Sequence, residues 1–473
     1  MNKSIKFASS FALLLVMVLL ANLTWIQGFR EDDLANNPLN GRAFLEMKST
    51  PRGQISAGGQ VLAESFQDDD GLYQRRYISS PEAFGPVVGY LSDIYGAAGL
   101  ESGFNSVLNG TDSSLFTSRW LDVISGQPAR GANIELTLNP ELQQTAYDQL
   151  TQNGYEGAVV ALRPSTGEVL AMASSPGFDP NGIVDPQTAD SAWGDYTSNP
   201  ESPLLNHATQ ESLPPGSIFK IITTAAALEH GYSASTTVTA ASEVTLPNTN
   251  TTLTNYGGQA CAGGGTTTFL TAFSLSCNTA FVETGIDVGV DALRKSAADF
   301  GVGQTYDLGI DNVPGGLGTI PDDAALGQSS IGQRDVEMTA LQAAIMAATV
   351  SNGGVRMKPY LVSRVTGQDL KELSSTKPES AGGIAPEIAG QITELMESSE
   401  RSTYGYSGVQ IASKTGTAEH GDEGTPPHNW YVAFSNDVAV AVLVKNGGGY
   451  GTGATGGRVS APIGRTVLHA AGG

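Results

Sequence analysis

The segment Ser217-Ile218-Phe219-Lys220, continued as IITTAAALEH, constrains this chain more than any other. Leu213-Pro214-Pro215-Gly216 stops whatever precedes it, and the run that follows is rich in Ala and aliphatics and free of Gly and Pro. It is predicted to be a buried helix with a serine at its N-terminus. Ser217 and Lys220 stand at i and i+3, so their side chains share a face. A serine hydroxyl is a weak nucleophile until a base takes its proton, and a lysine on the same face can serve only if neutral. The pattern S-x-x-K says little alone. A second copy, Ser374-Ser375-Thr376-Lys377, lies in the polar stretch 371–380, has no apolar helical context and is followed by Pro378; it is read as a solvated loop.

Two further motifs follow in order, each occurring once: Ser276-Cys277-Asn278 and Lys414-Thr415-Gly416-Thr417. Together the three supply what a serine acyl-transferase without a catalytic histidine needs. Burial and the cation of Lys414 would both depress the pKa of Lys220. Ser276 would pass a proton to the leaving amine, with Asn278 holding Lys220 and the substrate amide. A tetrahedral oxyanion needs two fixed donors, and the backbone N–H groups of Ser217 and Thr417 are the candidates. Lys414, with Thr415, Gly416 and Thr417, offers a cation and hydroxyls to a terminal carboxylate. None of the five histidines has to act. His207, His230 and His469 are read as surface or packing residues; His420 and His428 flank the loop after K-T-G and are the candidates to line the cleft.

At 473 residues the chain can hold two or three domains. Lys3 and Lys6 precede an apolar run from Phe7 to about Ile26, and Glu31, Asp32 and Asp33 follow it. About 20 such residues cross a bilayer, and the positive flank places the N-terminus in the cytoplasm. No small-x-small cleavage site follows the run, so the reading is an uncleaved signal anchor in the plasma membrane, with the rest outside. The expected division is a cytoplasmic tail at 1–6, an anchor at 7–27, an N-terminal α+β spacer or dimerisation domain at 28–135 and a catalytic domain at 136–473. In an exported chain an even cysteine count favours pairing. A Cys261–Cys277 bridge would close a loop of about 15 residues, worth ~3 kcal/mol in the chain-entropy model; two separate thiols are the alternative. A net charge of −22 with no basic cluster argues against nucleic acid. Two cysteines and scattered histidines show no metal-ligand spacing, phosphate-loop and dinucleotide fingerprints are missing, and no cofactor is expected.

Along the chain, Gly157–Leu162 and Glu168–Ala173 read as a hairpin around a Gly-containing turn. Residues 232–268 read as loop with short strands. Helices are predicted from Val336 to Val350 and from Ile384 to Met396. Gln410 to Ser413 leads into K-T-G as a strand, and Trp430–Phe434 and Val438–Val444 read as two more. The class is therefore α/β (α+β): K-T-G on an antiparallel sheet, S-x-x-K on a helix packed against it.

With the anchor and the phrase Pro51-Arg52-Gly53-Gln54-Ile55, these motifs resemble a class B penicillin-binding protein over nearly the whole chain. The stretches 214–220, Gly327-Gln328-Ser329-Ser330-Ile331-Gly332-Gln333 and His428-Asn429-Trp430 are similar to such proteins, above all to actinobacterial members with a short N-terminal domain. The resemblance implies the penicillin-binding transpeptidase fold, an antiparallel sheet flanked by helices with a helical subdomain. It also implies D,D-transpeptidation of peptidoglycan stem peptides ending in D-Ala-D-Ala, acylation by β-lactams, and partners among cell-wall synthesis or division membrane proteins. Two departures stand out: Ser56-Ala57 where Asp-Arg is usual, and Cys277 at the middle of S-x-N. A β-lactamase or D,D-carboxypeptidase is the rival reading, but the E-x-x-L-N phrase of class A β-lactamases is missing between S-x-N and K-T-G. A non-catalytic β-lactam sensor or scaffold need not keep all three motifs. No glycosyltransferase-sized segment precedes the domain, so glycan polymerisation is not expected.

Overall fold

The structure, a computed structural model, describes residues 3–29, 48–112, 130–422 and 424–472. Its first element, α1 (Lys3–Phe29), contains the apolar stretch Ile5–Ile26. At 1.5 Å per residue those 22 residues span about 33 Å, enough to cross the hydrocarbon of a bilayer. The acidic flank Glu31, Asp32 and Asp33 lies outside the described residues.

Two large sheets organise the rest. In chain order their strands are β1 (Ile55–Ala57), β2 (Gln60–Gln67), β3 (Tyr73–Tyr77), β4 (Asn133–Leu136), β5 (Gly157–Leu162), β6 (Val169–Ser175), β7 (Val362–Thr366), β8 (Glu372–Ser375), β9 (Ala412–Ala418), β10 (His428–Ser435) and β11 (Val438–Val444). The first sheet has the order β8-β7-β4-β1-β2-β3, antiparallel except for the β1–β4 pair. It draws strands from residues 55–77, 133–136 and 362–375, so the expected boundary at 135/136 falls inside β4. Gly53 sits where a β-carbon would lie 1.8 Å from the Ala132 carbonyl oxygen, which is why the Arg-Gly phrase needs its glycine. Beside it, Arg52 and Arg75 both reach the fully buried Glu101, at 2.6 and 2.5 Å.

The second sheet is antiparallel throughout, in the order β9-β10-β11-β5-β6. β5, β6 and β11 are buried along their whole length. Their Val and Ala side chains suit a sheet covered on both faces, because small residues let helices approach closely. The helices around it are α2 (Pro140–Thr151), α3 (Lys220–Glu229), α4 (Ala340–Ser351), α5 (Pro386–Ser402) and α6 (Gly456–Ala470); α2 and α6 cover one face and α4 and α5 the other. α3 packs behind α5.

The hairpin 157–173 and the strand Val438–Val444 fall where the sequence placed them. Three expectations shift. The helix expected from Val336 starts at Ala340, because Thr339 and Gln342 close a capping box there. The helix expected at 384–396 begins at Pro386 and runs on to Ser402. Ser374 and Ser375, read as loop, belong to β8, which pairs with β7 at the edge of the first sheet and is exposed along its length. The second S-x-x-K is thus solvated, but as an edge strand.

Candidate active site

Ser217 lies in a 3-10 turn, Gly216–Phe219, that runs directly into α3. Helix α3 proper therefore starts at Lys220, one turn later than the sequence suggests. Gly216 holds φ +54°, and a β-carbon there would sit 2.9 Å from the Thr417 carbonyl oxygen. Opposite it, a β-carbon on Gly416 would meet the Pro215 carbonyl at 2.7 Å, and one on Gly456 would meet the Gly416 carbonyl at 2.4 Å. Three glycines thus let the S-x-x-K turn, the K-T-G strand and the start of α6 touch through their backbones. Trp430, fully buried on β10 opposite Gly416, locks the contact by donating its indole N–H to the Pro214 carbonyl at 2.9 Å.

The S-x-N motif sits at the end of a short helix, Phe269–Ser274. The Ser276 N–H bonds the Phe273 carbonyl and the Cys277 N–H the Ala272 carbonyl, the pattern of a Schellman cap. Such a cap puts its C′ residue in the left-handed region, usually a glycine. Here it is Ser276, at φ +60°. The strained residue turns both its carbonyl and its hydroxyl toward Lys220. Cys277 then precedes a second helix, Asn278–Val288. A disulfide joins Cys277 to Cys261, with Cα atoms 5.9 Å apart. The segment before Cys261 carries the short strand Thr252–Thr254, and the Thr254 carbonyl accepts a bond from Asn278 Nδ2 at 3.0 Å.

The three motifs converge on two amines. Lys220 Nζ donates to the Ser276 carbonyl at 2.9 Å, to Ser276 Oγ at 3.2 Å and to Asn278 Oδ1 at 2.8 Å. Lys414 Nζ donates to the same Ser276 Oγ at 2.9 Å and to the Thr415 carbonyl at 3.1 Å. Both lysines are fully buried, and among the described residues no carboxylate pairs with either. Their ammonium groups lie instead 5.5 Å from the Phe281 ring and 5.8 Å from the Phe273 ring. Burial first, and the neighbouring Lys414 second, push the Lys220 ammonium well below its ordinary value. Burial alone brings Lys414 from 10.5 to about 7. The Ser217 hydroxyl has no hydrogen-bond partner among the described residues.

Above these groups opens a cleft of about 660 Å³ lined by Ser217, Ser276, Asn278, Thr415 and Thr417. A larger cavity, about 970 Å³, lies away from the motifs, between β4 and the β5–β6 turn. Volume is a poor guide here; the smaller cleft holds the reactive groups. Its rim adds residues that the motifs did not point to: Tyr256, Arg334, Tyr404 and Glu419. Arg334 follows directly on the phrase ending at Gln333, and Glu419 stands two residues past Thr417, so extending each motif by a few residues finds them. Tyr256 and Tyr404 carry no local signal. His420 and His428 do not line the cleft. They stack on each other with centroids 3.7 Å apart. Burial, then His420 and Lys445, push the His428 imidazole down to about 4, which keeps it neutral. His207 is buried and bonds Glu211 at 2.7 Å.

Comparison with known proteins identifies the family. Residues 157–469 match the family model of the penicillin binding protein transpeptidase domain, and residues 52–134 that of the penicillin binding protein A dimerisation domain. The peptidoglycan D,D-transpeptidase PbpA of Mycolicibacterium smegmatis is 45% identical, over 100% of this chain and 99% of that protein. The protein of the same name from Mycobacterium tuberculosis is also 45% identical, with the same coverage. Among solved structures, the ceftriaxone acyl-enzyme of penicillin-binding protein A from M. tuberculosis superposes with a TM-score of 0.87 at 45% identity, over 90% of this chain and 99% of that one. The penicillin G acyl-enzyme of that protein gives 0.86 at 45% identity, over 90% and 100%. On the family match and this full-length identity, the chain belongs to the penicillin-binding proteins with a transpeptidase domain.

Proposed function

We propose that this chain is a serine D,D-transpeptidase that cross-links peptidoglycan stem peptides ending in D-Ala-D-Ala, and that β-lactams acylate the same serine. The observation that carries this reading is the pair of buried, acid-free lysines meeting at one hydroxyl beside Ser217. In the proposed cycle, neutral Lys220 takes the Ser217 proton as Oγ bonds to the carbonyl carbon of the penultimate D-Ala. The N–H groups of Ser217 and Thr417 hold the resulting oxyanion. Collapse breaks the C–N bond, and the departing D-Ala amine takes its proton through Ser276 Oγ, which already bridges the two amines. Asn278 keeps Lys220 in place and meets the substrate amide. The hydroxyls of Thr415 and Thr417, with Lys414 and the close backbone of Gly416, receive the terminal carboxylate. An amine from a neighbouring stem then attacks the Ser217 ester and loses a proton to the same base; collapse breaks the ester C–O bond, Lys220 returns that proton to Ser217 Oγ, and the cross-linked amide leaves.

In the same reading α1 anchors the chain with residues 1–6 in the cytoplasm and the catalytic domain outside. Residues 28–135 serve docking or dimerisation and 136–473 serve catalysis. Membrane proteins of the wall-synthesis or division machinery are the proposed partners. Intact-mass analysis after exposure to benzylpenicillin tests the core of it. A stable adduct mapped to Ser217 is expected. Rapid release of penicilloate would instead mark a β-lactamase, and no adduct a scaffold.

A further inference from the structure

Among the described residues that line the cleft, only Arg334 and Glu419 are charged. Arg334 is already compensated: it pairs with Asp335 at 2.9 Å and donates to the Thr319 carbonyl. Glu419 is exposed and has neither an ion-pair nor a hydrogen-bond partner among the described residues. It follows directly on Ala418, the last residue of β9. β9 ends the second sheet, so its outer edge is open to an extended chain.

The direction of such a chain follows from the roles proposed above, on which this inference rests. The scissile carbonyl sits between the N–H groups of Ser217 and Thr417. The terminal carboxylate lies toward Lys414 and Thr415. The upstream part of the donor therefore runs the other way, past Thr417 toward Glu419. Two residues of extended chain cover about 6–7 Å, so Glu419 faces the donor roughly one to two residues before the penultimate D-Ala. The reaction requires an amine on the acceptor stem, and where donor and acceptor stems are alike the donor carries the same amine until it is itself used as an acceptor. We infer that Glu419 is a specificity-determining residue that favours acyl donors bearing a free ammonium upstream of the scissile bond, and disfavours those bearing a carboxylate there.

The full-length protein can be tested with benzylpenicillin and its α-amino and α-carboxy derivatives, which place a neutral, cationic or anionic group on one skeleton. Second-order acylation rates are read by intact mass, each derivative's rate being taken relative to benzylpenicillin on the same protein. This ratio removes any general change in folding or reactivity. In Glu419→Gln the α-carboxy ratio is expected to rise, and the α-amino ratio to fall, by about two- to five-fold, the scale of an exposed charge pair. Glu419→Lys should move both further, and raised salt should shrink both changes. Adducts that form with unchanged ratios in both variants overturn the charge assignment and leave the acyl-enzyme reading intact. No benzylpenicillin adduct on Ser217 in the unsubstituted protein overturns both.

Discussion

Two places in this molecule bury a pair of cations, and they do it in opposite ways. In the first sheet, Arg52 and Arg75 share Glu101. Arg52 also bonds Asn105 Oδ1 at 2.7 Å and Arg75 the Gly53 carbonyl at 2.8 Å. Burial pushes the Glu101 carboxyl up, but Arg75 and Arg52 outweigh it and hold it below the ordinary carboxylate range. In the cleft, Lys220 and Lys414 share only a hydroxyl, two carbonyls, an amide and two aromatic faces. A guanidinium stays charged when buried, so it needs its acid. A lysine can shed its proton instead, and without an acid nearby burial drives it to do so. One arrangement fixes charge to hold a fold; the other makes charge negotiable at neutral pH.

The comparison breaks most visibly if charge type proves unimportant at Lys220. Ser217→Ala should abolish penicillin labelling with the fold intact, and label appearing on Ser374 instead would sink the assignment. Lys220→Arg should slow acylation by about a hundred- to ten-thousand-fold, the scale of a lost general base. Substantial acylation by that variant would mean another group takes the proton.

The next effect belongs to the other cluster. Glu101→Ala leaves two buried guanidinium groups without their acid and should destabilise the protein by about 3–5 kcal/mol. Denaturant unfolding measures it. Acylation per folded molecule should stay as it was; a rate loss on the scale of Lys220→Arg would show the two regions are not independent.

The pH dependence of stability should separate them further. With its pKa lowered from 10.5 to about 7, Lys414 holds fewer protons in the native than in the unfolded state over that window. Its contribution is complete above the unfolded value and is lost as pH falls toward 7. Glu101, held low, contributes above its unfolded value and loses that contribution as pH falls through its folded one. Lys414→Met should flatten the first dependence and Glu101→Gln the second. Melting curves in which either variant flattens the wrong limb would refute the assignment.

The smallest effect sits at Ser276. Glycine should be the more stable replacement there and alanine the less, by about 1 kcal/mol, because only alanine keeps a β-carbon at positive φ. Both should acylate slowly. Alanine as the more stable of the two would remove the strain described for this cap.

The catalytic half was largely legible because its signals are local. Pro214-Pro215-Gly216 marks a helix start, Arg163 to Gly167 a hairpin turn, and the three motifs name their own side chains. What was not legible depends on distant pairing. β7 and β8 join a sheet begun some 300 residues earlier, and nothing in Val362–Thr366 tells which strand it will meet. Ser374 and Ser375 face solvent on both sides, so they lack the alternation that marks a strand. The left-handed turn at Ser276 was hidden for another reason: a serine there contradicts the usual glycine, and its hydroxyl explains the exception only once Lys220 and Lys414 are seen around it.

The contact among Gly216, Gly416 and Gly456 bears on how such a protein can change under drug selection. Any side chain at these positions collides with backbone, and backbone cannot step aside. A single substitution at any of these three glycines under β-lactam exposure therefore pushes apart the S-x-x-K turn, the K-T-G strand and the start of α6 before it discourages the drug. The rim differs, because Tyr256, Tyr404 and Glu419 face solvent and a changed side chain there meets no backbone wall. Those are also the places an incoming stem peptide would pass, so each step away from the drug risks a step away from the natural substrate.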